Sequence, residues 1–208
     1  MPCRPVHLPR FRFLSSLSQC ALLSLLLLAM ARAESPSVAL PADSFLSHFA
    51  ELNGLNHRGQ RFDAMDLQGQ VTLFNFIYTG CGQTCPMQTQ TLKQVLEAIP
   101  EQAREHVRFV SVSLDPVTDT VERLRAFSRQ FKVDQDAWQF VSASAATTRT
   151  MLNAIGVAVT GPSGAQRILD HSTDLWLVGR TGHLMMRYDG INIDRDRLTR
   201  EIAQLVSL

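Results

Sequence analysis

Cys81 and Cys85 are the residues of this 208-residue chain best suited to chemistry. They stand in the run Cys81-Gly82-Gln83-Thr84-Cys85-Pro86. Such a pair can close as a disulfide or act as two thiolate ligands. A purely structural link is the weaker reading, because closing so short a loop gains little chain entropy. Upstream, Val71 to Tyr78 is almost continuously apolar and rich in β-branched and aromatic residues, as a strand buried on both faces should be. Downstream, Pro86 suits the first turn of a helix, where its missing N–H costs nothing. The cysteines therefore lie between the carboxyl end of a strand and the start of a helix. Ligands collect there in open α/β sheets, and the helix dipole favours thiolate over thiol.

The N-terminus explains why these two thiols matter. Arg4, Arg10 and Arg12 precede an aliphatic run from Ala21 to Met30, and Ala31-Arg32-Ala33 follows. This three-part layout is that of a secretory signal covering 1–33, with cleavage expected after Ala33. An uncleaved anchor is the alternative, since Leu14 and Leu17 could extend the run. Cys20 is a poor lipidation candidate, because the apolar run lies after it. Cys3 and Cys20 would leave with the signal, so that Cys81 and Cys85 become the only thiols of the exported protein. Four of the twenty Lys and Arg leave too and no acidic residue does, which leaves 16 basic against 19 acidic side chains. Neither balance supplies the field that nucleic-acid binding needs. In an oxidising compartment a close cysteine pair is more often redox-active or metal-binding than structural.

Residues 34–42 read as a tether, and 43–208 as one domain. Asp43 or Ser44 caps a predicted helix to about Leu52, and 54–69 reads as turns with a short hairpin. The helix after Pro86 runs to about Ile99, and Val107 to Leu114 is a second buried strand. Thr118 or Asp119 caps a helix through Phe131, and Trp138 to Val141 is a third strand. A helix follows over 147–155, then a polar loop over 160–166, then Asp170-His171. Thr173 to Val178 and His183 to Tyr188 form a hairpin, and an amphipathic helix over 195–205 closes the chain. The alternation predicts an α/β fold: a central sheet, parallel where helices cross over, with helices on both faces and an antiparallel end.

Three blocks carry a family resemblance: Phe74 to Pro86, Ser111 to Thr120 (Ser-Val-Ser-Leu-Asp-Pro-Val-Thr-Asp-Thr), and Asp170-His171-Ser172-Thr173. Together, and in this order, they closely resemble the Sco/SenC family of copper-binding, thioredoxin-like proteins, over roughly Asn56 to Tyr188. The resemblance implies a thioredoxin-like central sheet with helices on both faces and an N-terminal hairpin extension. It also implies a role in assembling the binuclear copper centre of cytochrome c oxidase. The family's copper ligands carry over onto Cys81, Cys85 and His171. Many members have an acidic residue where this chain has Thr84, which makes the local field here less negative.

His171 also has a physical case. It ends a polar loop just before a strand, a junction that in thioredoxin-type folds faces the cysteine turn and usually holds a cis-proline. No proline follows Pro162 in this chain. Two thiolates and an imidazole suit copper as Cu(I) and as Cu(II), whereas a structural zinc site would want a fourth protein ligand. Asp170 is either a partner orienting the ring or an ordinary loop carboxylate. His48, His57, His106 and His183 read as structural or solvated, and Met87, Met185 and Met186 as packing residues. Asp115 and Asp119 read as turn and cap residues. Arg123, Arg125, Arg129, Arg195 and Arg197 read as solvated faces.

Two functions follow. The first is an exported copper metallochaperone of the periplasm, or of the outer face of the inner membrane if the signal stays uncleaved. It would deliver copper to an apo-cuproprotein such as the copper subunit of cytochrome c oxidase, and exchange with other copper carriers or thiol reductants. The second is a thiol–disulfide reductase, with Cys81 and Cys85 as the redox pair, that keeps such an apo-protein's cysteines reduced.

Overall fold

The computed structural model describes residues 40–133, 136–160 and 170–208. The predicted signal peptide, most of the tether, most of the polar loop and the side chain of Asp170 lie outside the described residues. The elements are β1 (Leu55–Asn56), β2 (Val71–Ile77), α1 (Thr84–Ala98), α2 (Glu101–Arg104), β3 (Val107–Ser113), α3 (Val121–Gln130) and β4 (Trp138–Ser142). They continue with α4 (Ala145–Ala154), β5 (Val159–Thr160), β6 (Asp170–His171), β7 (Leu175–Val178), β8 (Leu184–Tyr188) and α5 (Arg195–Val206).

Six strands form the main sheet in the order β1-β4-β3-β2-β7-β8. β2 lies parallel to β3, and β3 parallel to β4, as helical crossovers require. β7 returns antiparallel on the other side of β2, and β8 and β1 add antiparallel edges. All seven residues of β2 are buried, so its apolar continuity reports its central place.

Register separates the two faces. Asn75, Ser111 and Phe140 are aligned across β2, β3 and β4 and share one face. Gln88 of α1 hydrogen-bonds Asn75, and Phe127 of α3 packs its ring on Phe140, so both helices cover this face. α5 packs against α1. Phe74 and its neighbour Trp176 face the other way, onto Phe49 and Phe45, with Phe49 and Phe74 stacked at 4.3 Å between centroids. The turn bearing these two phenylalanines meets α4. Helices therefore lie on both faces, and β2 is enclosed between them.

Three details correct the sequence reading. The helix expected from 43 to about 52 is a five-residue 3-10 turn, Phe45–Phe49, capped by Ser44. Its aromatic side chains stack beneath the sheet, and that packing needs only one and a half turns. The cap of α3 is Thr120, whose hydroxyl accepts the Arg123 N–H, and neither Thr118 nor Asp119. α2, after Pro100, was not foreseen at all. The expected hairpin is present in small form: Asn56 Oδ1 accepts from the backbone of Arg58 and Gln60, and Leu55 bridges to Arg61. Gly59 takes a φ of 82° in that turn, a conformation open to glycine at little cost.

Candidate functional site

β2 ends at Ile77, and Tyr78, Thr79 and Gly80 carry the chain to Cys81. Cys85 is the second residue of α1, so Pro86 sits third, still within the turn that has no hydrogen-bonded N–H to lose. The capping position, Gln83, makes no side-chain cap. Cys81 takes over part of that role: its Sγ accepts the Cys85 backbone N–H at 3.2 Å. The sulfur thereby rests on the positive end of α1. Both cysteines are free thiols, Cys81 half-buried and Cys85 buried.

The two sulfurs are not equivalent. Cys81 is lowered from the usual thiol range to about 5, first by a hydrogen bond from the Cys85 side chain and then, against the cost of its burial, by backbone groups of Cys85 and Gln83 and by Tyr78. Cys85 is pushed strongly upward, because it supplies the proton of that bond and is itself desolvated, with the charges of Cys81 and Asp119 adding to the effect. The hydrogen bond between them thus favours the thiolate on Cys81 and the proton on Cys85. A half-buried low-pKa sulfur beside a fully buried, higher-pKa one is the arrangement of an attacking and a resolving thiol.

A buried carboxylate holds the turn. Asp119 is fully enclosed and accepts from the Thr79 N–H at 3.1 Å, from the Thr79 hydroxyl, and from the Ser113 hydroxyl at 2.6 Å. The Thr79 hydroxyl in turn accepts from Arg123 Nε at 3.2 Å. Burial raises the Asp119 pKa, and the hydrogen bonds from Ser113 and Thr79 only partly offset it. The sequence reading missed this residue by treating it as a cap. The available signal was its place beyond the end of β3, adjacent to β2, which puts it beside the residues leading into Cys81. Arg123 likewise serves that network, and Arg125 donates to the His57 carbonyl at 3.0 Å, so neither is merely solvated.

His171 comes from another part of the chain. Among the described residues, β6 pairs antiparallel with β5 through Val159 opposite His171 and Thr160 opposite Asp170. The ring lies edge-on to Tyr78 at 5.9 Å between centroids, and the Tyr78 carbonyl accepts the Cys81 backbone N–H at 3.1 Å. Tyr78 is thus the physical bridge between the cysteine turn and the histidine. The Nδ1 of His171 contacts the Ser172 carbonyl at 2.7 Å. A carbonyl can only accept, so Nδ1 carries the proton and the lone pair of the neutral ring is on Nε2. Among the described residues, no three His, Cys, Asp or Glu side chains are gathered closely enough to hold a metal ion. The fold brings the cysteines together and packs His171 against Tyr78 beside the cysteine turn, without closing the trio.

The remaining candidates stay outside the site. His57 is fully buried, with its Nδ1 facing the Phe140 N–H at 3.3 Å, which is a structural role. Met87, Met185 and Met186 are at the surface, 59%, 49% and 37% exposed, so core packing does not account for them. Asp115 is buried beside Ser113, in keeping with its turn role. No cis peptide occurs among the described residues, and His171 lies in the short strand β6.

The SCO1/SenC family model matches residues 42–207. A SCO1/SenC family lipoprotein from Bacillus anthracis superposes with a TM-score of 0.64 at 29% identity, over 73% of this chain and 90% of that one. BsSco, a member of the Sco family of cytochrome c oxidase assembly proteins in which a disulfide switch was identified, gives a TM-score of 0.63 at 25% identity, over 74% and 91%. The copper-bound ScoI of Bradyrhizobium japonicum gives 0.65 at 19% identity, over 73% and 95%, a likeness of fold.

Proposed function

This chain belongs to the SCO1/SenC family, and from that premise we propose that it is a copper metallochaperone in which Cys81, Cys85 and His171 hold the ion. The observation that carries the proposal is the donor set itself. Two sulfurs, one already a thiolate, share a turn at a helix N-terminus. An imidazole whose Nδ1 is engaged by the Ser172 carbonyl, which leaves Nε2 to bind an ion, packs edge-on against Tyr78, three residues before Cys81. Soft sulfur suits Cu(I) and imidazole nitrogen helps retain Cu(II), so the residues present fit copper. The protein's own contribution is to keep Cys81 ionised, to place Cys85 four residues on, and to fix the tautomer of His171. Because the trio is not closed in advance, binding would draw the histidine in, and release would let it withdraw first. Loading requires the dithiol, so closure of a Cys81–Cys85 disulfide would exclude the ion.

The cargo's destination follows from the family: an apo-cuproprotein, with the copper subunit of cytochrome c oxidase the leading candidate. The N-terminal segment supports export to the periplasm, with attachment to the outer face of the inner membrane if the signal is retained. No helix among the described residues is long and apolar enough to cross a membrane.

The test is anaerobic titration of the reduced protein with copper, against Cys81→Ala, Cys85→Ala and His171→Ala. One tightly bound equivalent, with sulfur-to-copper charge transfer lost in the cysteine variants and shifted in His171→Ala, is expected. Absence of tight binding would overturn the proposal. The asymmetry between Cys81 and Cys85 supports a second reading, a thiol–disulfide reductase acting on the same apo-protein. There Cys81 would attack a target disulfide, Cys85 would resolve the mixed disulfide, and the target would leave as a dithiol. His171→Ala separates the readings, since disulfide exchange should survive it and copper retention should not.

A further inference from the structure

Three residues beyond Cys85, on the same helix, Gln88 is 4% exposed and makes three hydrogen bonds. Its Oε1 accepts from Asn75 Nδ2 at 2.7 Å. Its Nε2 donates to the Thr173 carbonyl at 2.7 Å and to the Gly190 carbonyl at 3.1 Å. Asn75 is held in its turn by the Ser111 hydroxyl at 2.6 Å, and that hydroxyl accepts from Trp138 Nε1 at 2.9 Å. A satisfied polar chain thus crosses the buried face of the sheet from β4 to β2, enters α1, and ends on the segment that follows His171. The order of donors along it fixes the Gln88 amide: with Oε1 committed to Asn75, Nε2 must face the two carbonyls.

The junction has no slack. A Cβ added to Gly190 would overlap both the Thr173 carbonyl and the Gln88 amide nitrogen. Glycine there lets the chain after β8 close on the same point. Thr173 is two residues from His171, and Gln88 is three from Cys85, so this contact is a second buried link between the two halves of the site, beside that through Tyr78. A second anchor lies at the surface, where Arg187 pairs with Asp174 and Asp174 accepts from the Ser172 hydroxyl at 2.6 Å. Upstream, among the described residues, β6 pairs with β5 through two residues.

We propose that Gln88 is a positioning residue for His171: it pins the Thr173 carbonyl to the cysteine helix, so that the histidine pivots at Ser172 about a point fixed relative to Cys85. This inference rests on the reading of His171 as a ligand. Nothing in the spacing of the sequence singles out Gln88 or Gly190 for such a role.

A double-mutant cycle on the full chain tests it. Cu(I) affinity is measured by competition with a chromophoric chelator in the native protein, Gln88→Met, His171→Ala and the double variant. Partners that orient a metal ligand typically change affinity by about 10–100-fold. Gln88→Met is therefore expected to lose roughly tenfold or more in the native background and to lose nothing further when His171 is already alanine. Equal losses in both backgrounds would overturn the proposal, because Gln88 would then act on the cysteines or the fold. No loss in the native background would overturn it as well. If His171→Ala binds copper as tightly as the native protein, the ligand reading itself fails, and the cycle separates that failure from one confined to Gln88. Should Gln88→Met not fold, Gln88→Asn keeps the amide one methylene short of both carbonyls and is expected to behave the same way.

Discussion

The cysteine turn and the histidine segment, the two halves of the proposed site, are held by different kinds of structure. The turn follows a seven-residue central strand, begins a fifteen-residue helix, and is braced by a buried carboxylate that accepts from both the backbone and the side chain of Thr79. The histidine stands on a two-residue strand, and its downstream anchors are one buried amide and one partly exposed ion pair. A dithiol must meet one geometry to close as a disulfide or to grip an ion, and the rigid half supplies it. In the proposed function the third donor arrives and leaves, and the half held by the shorter strand suits that.

This contrast can be broken most severely at the cysteines. Either Cys81→Ala or Cys85→Ala should abolish tight copper binding and the internal disulfide together, read by chelator competition and by thiol titration. A single-cysteine variant that still binds tightly would place the donors elsewhere. Next in size is the brace. Asp119→Ala strands the donors of Thr79 and Ser113, and at 1–3 kcal/mol for an unsatisfied buried group it should cost about 3 kcal/mol in urea unfolding. An unchanged midpoint would mean that the carboxylate does not hold the turn. The pH dependence has a definite sign. Folding raises the Asp119 pKa, so the native chain keeps the proton more tightly than the unfolded one. That contribution is complete below the ordinary carboxylate value and is lost as pH rises through the raised one. Relative to Asp119→Asn, native stability should therefore fall with rising pH across that window, and parallel profiles would refute the assignment.

Alkylation sharpens the comparison within the rigid half. With Cys81 lowered to about 5, iodoacetamide should modify it well before Cys85, at a rate that levels off above that pH and falls about tenfold per unit below it. Mapping by mass spectrometry decides the matter, and preferential labelling of Cys85 would reverse the assigned roles. The smallest effect belongs to the outer anchor of the other half. Arg187→Ala breaks a pair whose arginine is half exposed, so its stability cost should stay below about 1 kcal/mol. A cost as large as that of Asp119→Ala would erase the distinction between the two halves.

Much of the fold was legible because its signals are local. Apolar continuity marked β2 and β3, and the 3.6-residue periodicity marked α1, α3 and α5. The 3-10 turn was misread as a helix because Phe45, Leu46 and Phe49 satisfy either geometry over so few residues. The cysteine pair was legible for the same reason: four residues of spacing, a strand before and a helix after, lie within a single stretch of chain.

What the sequence by itself determined is therefore the cysteine pair, its place at the end of β2, and the family motif that contains His171. Only the tertiary structure decided that Asp119 braces the turn from 40 residues away, that Tyr78 stands between the cysteines and the imidazole, and that Gln88 and Thr173 meet at a point where Gly190 leaves no room for a side chain. Those contacts join strands and helices distant in sequence, and a hydrogen bond between distant residues leaves no periodicity or spacing in the chain from which to read it.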